Sequence, residues 1–274
     1  MLDFIKVVLL GLIEGITEWL PISSTGHLIL FGDVLNPSLS KSFMEMFNVV
    51  IQLGAIMAVV VIYFHKLNPF SPKKTSRQKT LTWKLWFRVI IAAIPGAICG
   101  LLFDDILDKY LYNSLVVGIM LIFYGGLFIY VENRNAGHRP QVTSLNGLDL
   151  RLLLIIGGAQ VLALIPGTSR SGITIIAALL FGVSRGVAAE FTFFLGIPMM
   201  FGASFLKIIK FGFHFTFFEF FCLLVGMIVA FVSSVFAIKF LMSFIKKHDF
   251  KGFGYYRIVL GFLVLLVMGI KSFV

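Results

Sequence analysis

Leu20-Pro21-Ile22-Ser23-Ser24-Thr25-Gly26-His27 is a polar stretch inside an apolar N-terminal segment, residues 4–31, with Glu14 and Glu18 just upstream. Its reading decides the fold. Pro21 cannot continue a helix, because it lacks an N–H and its ring clashes with the preceding turn. The segment therefore reads as two short helices with a bend between them, not as one spanning helix. A stretch of the same kind, Ile165-Pro166-Gly167-Thr168-Ser169-Arg170-Ser171-Gly172, interrupts residues 152–182. An offset of 146 pairs Gly11 with Gly157, Glu14 with Gln160, Ser23 with Ser169 and Gly26 with Gly172. The identity is weak; the shared order of elements carries the comparison.

That order emerges from the composition and the apolar runs. Of 274 residues, 59% are hydrophobic and 13% charged, about half the charge of an ordinary soluble domain. Mean hydropathy is +0.99. Such a chain must hide most of its surface in lipid. Apolar runs close to the ~20 residues that cross a bilayer recur along it: 47–64, 89–103, 114–131, 191–206, 217–240 and 255–270. Each half reads as a broken hydrophobic pair followed by three spans. The fold expected is an all-α integral membrane protein with about six transmembrane helices and two broken re-entrant helical hairpins, arranged as an inverted-topology repeat. It forms one membrane domain, 1–274, with repeat one over roughly 1–135 and repeat two over roughly 148–274. Binding sites in such repeats lie where the broken segments meet near the middle of the membrane.

The net charge of +10 fits an excess of Lys and Arg in cytoplasmic loops rather than nucleic-acid binding. Lys66, Lys73, Lys74, Arg77, Lys79, Lys84 and Arg88 make 65–88 a cytoplasmic, flexible basic loop; Asp104 to Lys109 reads as an acidic outer loop; Lys246, Lys247 and Lys251 mark another inner connection. Cys99 and Cys222 sit in apolar runs and read as buried small hydrophobes. Met1-Leu2-Asp3 is not a basic leader and no small-residue cleavage site follows it, so no cleaved signal is expected.

The polar stretches carry the chemistry. Glu14 and Glu18 are four apart, on one helix face. Two carboxylates in an apolar helix call for an offsetting partner, either a divalent cation held by Glu14 and Glu18 or a shared proton. Ser23, Ser24, Thr25 and Gly26 supply hydroxyls and bare backbone at the start of a helix, where free N–H groups favour an anion. His27 offers an acid, a base or a nucleophile. Gly167, Thr168, Ser169, Ser171 and Gly172 are the matching donors of the second stretch. Arg170 adds a planar fork suited to phosphate. A nucleophile, an acid/base, a cationic clamp and a metal seat form the set expected for phosphoryl transfer. A P-loop, a kinase loop and zinc-ligand spacing are absent from the sequence. His65, His138, His214 and His248 lie in loops or at span ends and read as solvated.

Glu14-Gly15-Ile16-Thr17-Glu18 running into Leu20 to His27, together with Pro166 to Gly172, resembles the bacterial undecaprenyl-pyrophosphate phosphatase (bacitracin-resistance protein) family. The resemblance extends over essentially the whole chain. It implies removal of the terminal phosphate from the C55 isoprenoid pyrophosphate, giving the monophosphate carrier lipid for reuse in peptidoglycan synthesis. It implies a divalent cation, Mg2+ or Ca2+, and a site towards the outer, periplasmic face of the bacterial cytoplasmic (inner) membrane. It implies roles in activity for Glu14, Glu18, Ser24, His27 and Arg170. The partners expected are the lipid substrate and the bilayer, with a homodimer left open. Ser24 activated by Glu18 is the favoured nucleophile, with His27 or water as rivals. Two other classes compete. A lipid-phosphate transporter or flippase would use the same anion clamp without a nucleophile. A type-2 phosphatidic-acid phosphatase pairs Ser-Gly-His with Arg/His, but no histidine closely follows Arg170.

Overall fold

The computed structural model describes residues 2–212 and 214–273, apart from the side chains of Asp33, Asp104, Asp105, Asp108 and residues 271–273. The described chain is helical throughout its ordered elements. In the first half these are α1 (Leu2–Thr17), α2 (Ser24–Leu35), α3 (Lys41–Val50), α4 (Gln52–Ile62), α5 (Phe64–Leu67), α6 (Ser76–Leu111) and α7 (Ser114–Asn135). In the second they are α8 (Leu150–Val161), α9 (Arg170–Leu180), α10 (Arg185–Phe211), α11 (Phe217–Phe244) and α12 (Lys251–Phe273). Six helices are long and apolar enough to cross a membrane: α3 with α4, then α6, α7, α10, α11 and α12. Helices suit this setting because lipid offers no partner for an exposed peptide group. Their large exposed Phe, Leu and Ile side chains, such as Phe87, Leu102, Phe236 and Phe262, are the surface such a protein turns to lipid.

The ends of the spans differ from the sequence reading. The basic segment 65–88 is a loop only over 68–75; α6 begins at Ser76, where Thr75 and Gln78 form a reciprocal cap. Its 36 residues give about 54 Å at 1.5 Å per residue, against a hydrocarbon core of ~30 Å. The helix thus projects into water at its basic end, and Lys, Arg and Gln propagate a helix well. At the other end α6 continues through 104–109 to Leu111, so the segment read as an acidic loop is helical; its three aspartate side chains lie outside the described residues. α2 and α3 are joined by a short connection over 36–40. Cys222 is buried, whereas Cys99 is only half-buried. His65, His138, His214 and His248 are exposed.

The packing is symmetric under exchange of the halves. α1 lies along α11, and α8 along α6, so the first arm of each hairpin rests on the middle span of the other half. The last spans, α7 and α12, pack on each other, and α10 packs on α3 and α4. This is compatible with the repeat expected from the sequence. The α7–α12 seam is built from glycines at matching places. A Cβ on Gly125 would lie 2.7 Å from the Gly254 carbonyl oxygen, and one on Gly261 2.7 Å from that of Gly118. Small residues let membrane helices approach backbone to backbone. That approach seats α12 beside the hairpins.

Candidate active site

Each hairpin turns on a serine in a conformation that costs energy. Ser23 has φ 75° and Ser169 φ 71°, in the left-handed region that L residues with a Cβ avoid, at roughly 1–3 kcal/mol each. Both cap the helix that follows: Ser23 Oγ accepts from the Gly26 N–H and Ser169 Oγ from the Gly172 N–H. The two residues paired by the 146-residue offset therefore perform the same local task. The Gly26 and Gly172 amides, expected on a phosphate, are engaged by these caps. The leading amides of α2 and α9 have no intrahelical partner and remain for a ligand.

The two tips meet. Arg170 Nη2 donates to Glu18 Oε1 at 3.0 Å, and Ser171 Oγ donates to the Glu18 carbonyl at 3.2 Å. The other carboxylate oxygen of Glu18, Oε2, accepts from Ser24 Oγ at 2.7 Å. Glu18 thus joins a hydroxyl at the start of α2 to a guanidinium at the start of α9. Arg170 is held on its other side by the Thr192 carbonyl, 3.0 Å from Nη1. Its guanidinium also lies 5.9 Å from the Trp19 ring centroid, within cation–π range. Gly196 leaves room for it: a Cβ there would fall 2.9 Å from both Nη atoms.

Glu14 differs from every other buried carboxylate described. It is 0% exposed and neither oxygen has a hydrogen-bond partner. Glu132, equally deep, is satisfied by Arg185 Nε and Nη2 and by the Phe250 N–H. A buried ionised carboxylate without compensation costs many kcal/mol, so Glu14 is built for a ligand that brings positive charge, or holds a proton. Glu18, with both oxygens engaged, is less suited to a metal than the sequence suggested.

His27 is not bonded to Ser24 or Glu18. Its Nδ1 lies 2.7 Å from the Ser23 carbonyl oxygen, which only accepts, so Nδ1 carries a proton. In the neutral ring Nε2 then accepts from the Tyr256 hydroxyl, 2.7 Å away, and the two rings are nearly parallel. Tyr256 was missed in the sequence because a tyrosine in an apolar span carries no distinguishing pattern. Its neighbour Arg257 was missed too, although an arginine in a spanning segment is itself a signal. Arg257 is fully buried and donates to carbonyls of both tips: Pro21 at 3.3 Å, Gly167 at 2.8 Å and Thr168 at 2.9 Å. Thr25 is half-buried and Thr168 fully buried. An apolar cleft of about 390 Å³ opens beside His27, lined by Ile13, Ile16, Leu20, Ile22, Phe253 and Tyr256 among others.

Tyr256→Phe keeps the ring and removes the hydroxyl on Nε2. Turnover is expected to fall about tenfold, ~1.4 kcal/mol, with KM little changed. Steady-state kinetics on the purified variant check this; unaltered turnover would show that the orientation of His27 does not matter.

Comparisons with known proteins point the same way. The family profile described as bacitracin resistance protein BacA matches residues 7–263. A protein of Enterococcus faecalis named undecaprenyl-diphosphatase is 60% identical over 263 residues, covering 95% of each chain. Relatives of the same name from Acetivibrio thermocellus and Desulfitobacterium hafniense are 58% and 54% identical, over 97% and 100% of this chain and 98% and 99% of their own. With a hairpin pair of this geometry and a profile match over nearly its full length, the chain belongs to the bacitracin resistance protein BacA family.

Proposed function

We propose that this protein is an undecaprenyl-diphosphatase: it hydrolyses the C55 isoprenoid pyrophosphate to the monophosphate carrier lipid and inorganic phosphate. The observation that carries this reading is the Ser24–Glu18–Arg170 chain across the two hairpin tips. A hydroxyl bonded to a carboxylate at 2.7 Å is an activated nucleophile. It stands at a helix N-terminus, where a phosphate is favoured. The names of the relatives supply the lipid. The apolar cleft beside His27 suits the isoprenoid units nearest the pyrophosphate, because a bilayer-bound tail must leave the site sideways. A lipid-phosphate carrier would need the clamp but not the activated hydroxyl.

The steps follow from the contacts. Ser24 Oγ attacks the terminal phosphorus while Glu18 takes its proton. The bond from that phosphorus to the bridging oxygen breaks, and the prenyl monophosphate leaves. Arg170 and the leading amides of α2 and α9 hold the phosphoryl oxygens. Water then attacks the phosphoserine, and inorganic phosphate departs with the proton returned to Ser24. His27, both nitrogens engaged, serves as a proton relay near the leaving group rather than as nucleophile. A divalent cation suits Glu14, since hard cations take oxygen ligands and Mg2+ commonly binds through one or two carboxylates and substrate phosphate. When bound, it would offset charge on the pyrophosphate. Among the described residues no group of three or more His, Cys, Asp or Glu side chains is gathered for a metal, so substrate oxygens and water would complete its shell. The basic ends of α6 and of the α11–α12 connection support an orientation with those ends inside; we assign the protein to the bacterial inner membrane with its site towards the periplasm.

The test is phosphate release from prenyl pyrophosphates in detergent, with and without chelator, followed by trapping of labelled enzyme. Release of inorganic phosphate, its loss with chelator and label on Ser24 are expected. No release would end the phosphatase reading, and label on His27 would end this mechanism.

A further inference from the structure

Arg257 is an expensive residue for the place it occupies. It is fully buried, and its described partners are the three neutral carbonyls of Pro21, Gly167 and Thr168, with the Tyr124 ring 5.9 Å from its guanidinium. No carboxylate among the described residues pairs with it. A buried cation without an anion costs several kcal/mol, and a smaller neutral side chain would fill the space more cheaply. The geometry of its bonds is what a neutral residue cannot supply. One Nη reaches the first hairpin and the other the second, so a single rigid fork spans both tips.

The carbonyls it takes lie just ahead of the two strained serines. Thr168 directly precedes Ser169, and Pro21 is two residues before Ser23. Strained conformations persist only where the surroundings over-determine them, and Arg257 is a restraint common to both. The peptide geometry adds a consequence. In a planar trans unit the C=O and the next N–H point in opposite directions, and no cis bond occurs among the described residues. Drawing the Thr168 carbonyl towards Arg257 therefore turns the Ser169 N–H away from it, next to the leading amides of α9.

We infer that Arg257 is a positioning residue: without touching substrate, it fixes the two hairpin tips against each other and aims the Ser169 amide at the phosphate. The inference rests on the phosphatase reading above, since those donors serve only an anion.

The experiment compares Arg257→Met and Arg257→Lys with Phe43→Leu. Phe43 is fully buried on α3 against Phe47 and Phe211, so the last weakens packing outside both the α7–α12 seam and the hairpin tips. Phosphate release and thermal unfolding are measured for each purified variant. Arg257→Met is expected to lose about a hundredfold or more in kcat, the scale of a misplaced oxyanion donor, with KM within threefold. Arg257→Lys, which keeps donors but not the fork, should recover part of that loss. Phe43→Leu should lower the unfolding temperature and keep its kcat. Wild-type kcat in Arg257→Met, or in Arg257→Lys if the methionine variant does not fold, overturns the inference. So does a rise in KM at unchanged kcat, which would mean direct substrate contact. Absence of phosphate release in the wild-type protein would instead overturn the reading beneath it.

Discussion

Glu18→Gln should lower turnover by at least about a thousandfold, the largest single effect expected in this protein. The residue does three things at once. It accepts from Ser24 Oγ through one oxygen, accepts from Arg170 through the other, and carries the negative charge opposing that guanidinium. Glutamine keeps the shape and one acceptor but has no basicity, so the nucleophile loses its proton acceptor, a role worth ~10²–10⁴. Arg170, with 13% of its side chain exposed, is left without its counter-charge, and breaking a buried pair costs up to ~3–5 kcal/mol. The two losses separate in a double variant. Glu18→Gln with Arg170→Gln should regain stability relative to Glu18→Gln alone, because no charge is left unpaired, yet recover no turnover. Unfolding and phosphate-release assays on the four proteins of that cycle give the coupling directly. Turnover of Glu18→Gln within tenfold of wild type would remove Glu18 as the base.

Much of this site was legible because polar residues are anomalous in an apolar segment. Ser23, Ser24, His27, Glu14, Glu18 and Arg170 stand out against their neighbours, and lipid makes each of them costly unless used. Pro21 and Pro166 told where the helices break, and the exchange-symmetric packing agrees with the order of elements in the two halves. What stayed hidden depends on distance in sequence. Tyr256 and Arg257 reach the tips only because glycines on α7 and α12 bring those helices together, and nothing local to residues 255–258 records that approach. The division of labour between Glu14 and Glu18 was equally hidden, since spacing makes them equivalent while the partners of Glu18 come from α9 and from its own hairpin tip. Helix ends failed for a simpler reason: lysine and arginine signal water but do not stop a helix, so α6 runs on through a stretch that hydropathy reads as loop.

Arg170→Lys should also be severe, about a hundredfold to a thousandfold in kcat/KM, or roughly 3–4 kcal/mol, although it preserves the charge. Arg170 uses its two Nη atoms for acceptors that lie apart, the Thr192 carbonyl on α10 and Glu18 Oε1 on the opposite hairpin. A single ammonium presents its three donors from one point and cannot reach both while staying over the Trp19 face. If the Glu18 contact is the one lost, a buried carboxylate oxygen is left without its donor, costing ~1–3 kcal/mol. If lysine keeps Glu18, the tie from α9 to the Thr192 carbonyl on α10 is lost and the start of α9 shifts; if it keeps Thr192, Glu18 is freed and its hold on Ser24 changes. Either way the phosphoryl group loses the planar fork that matches two of its oxygens. Gly196→Ala provides an internal check, because its methyl would push on the same guanidinium from the far side and should lower turnover in the same direction while leaving residue 170 an arginine. Near-normal turnover in Arg170→Lys, with the protein folded, would mean that a point charge suffices and that the fork is not part of the clamp.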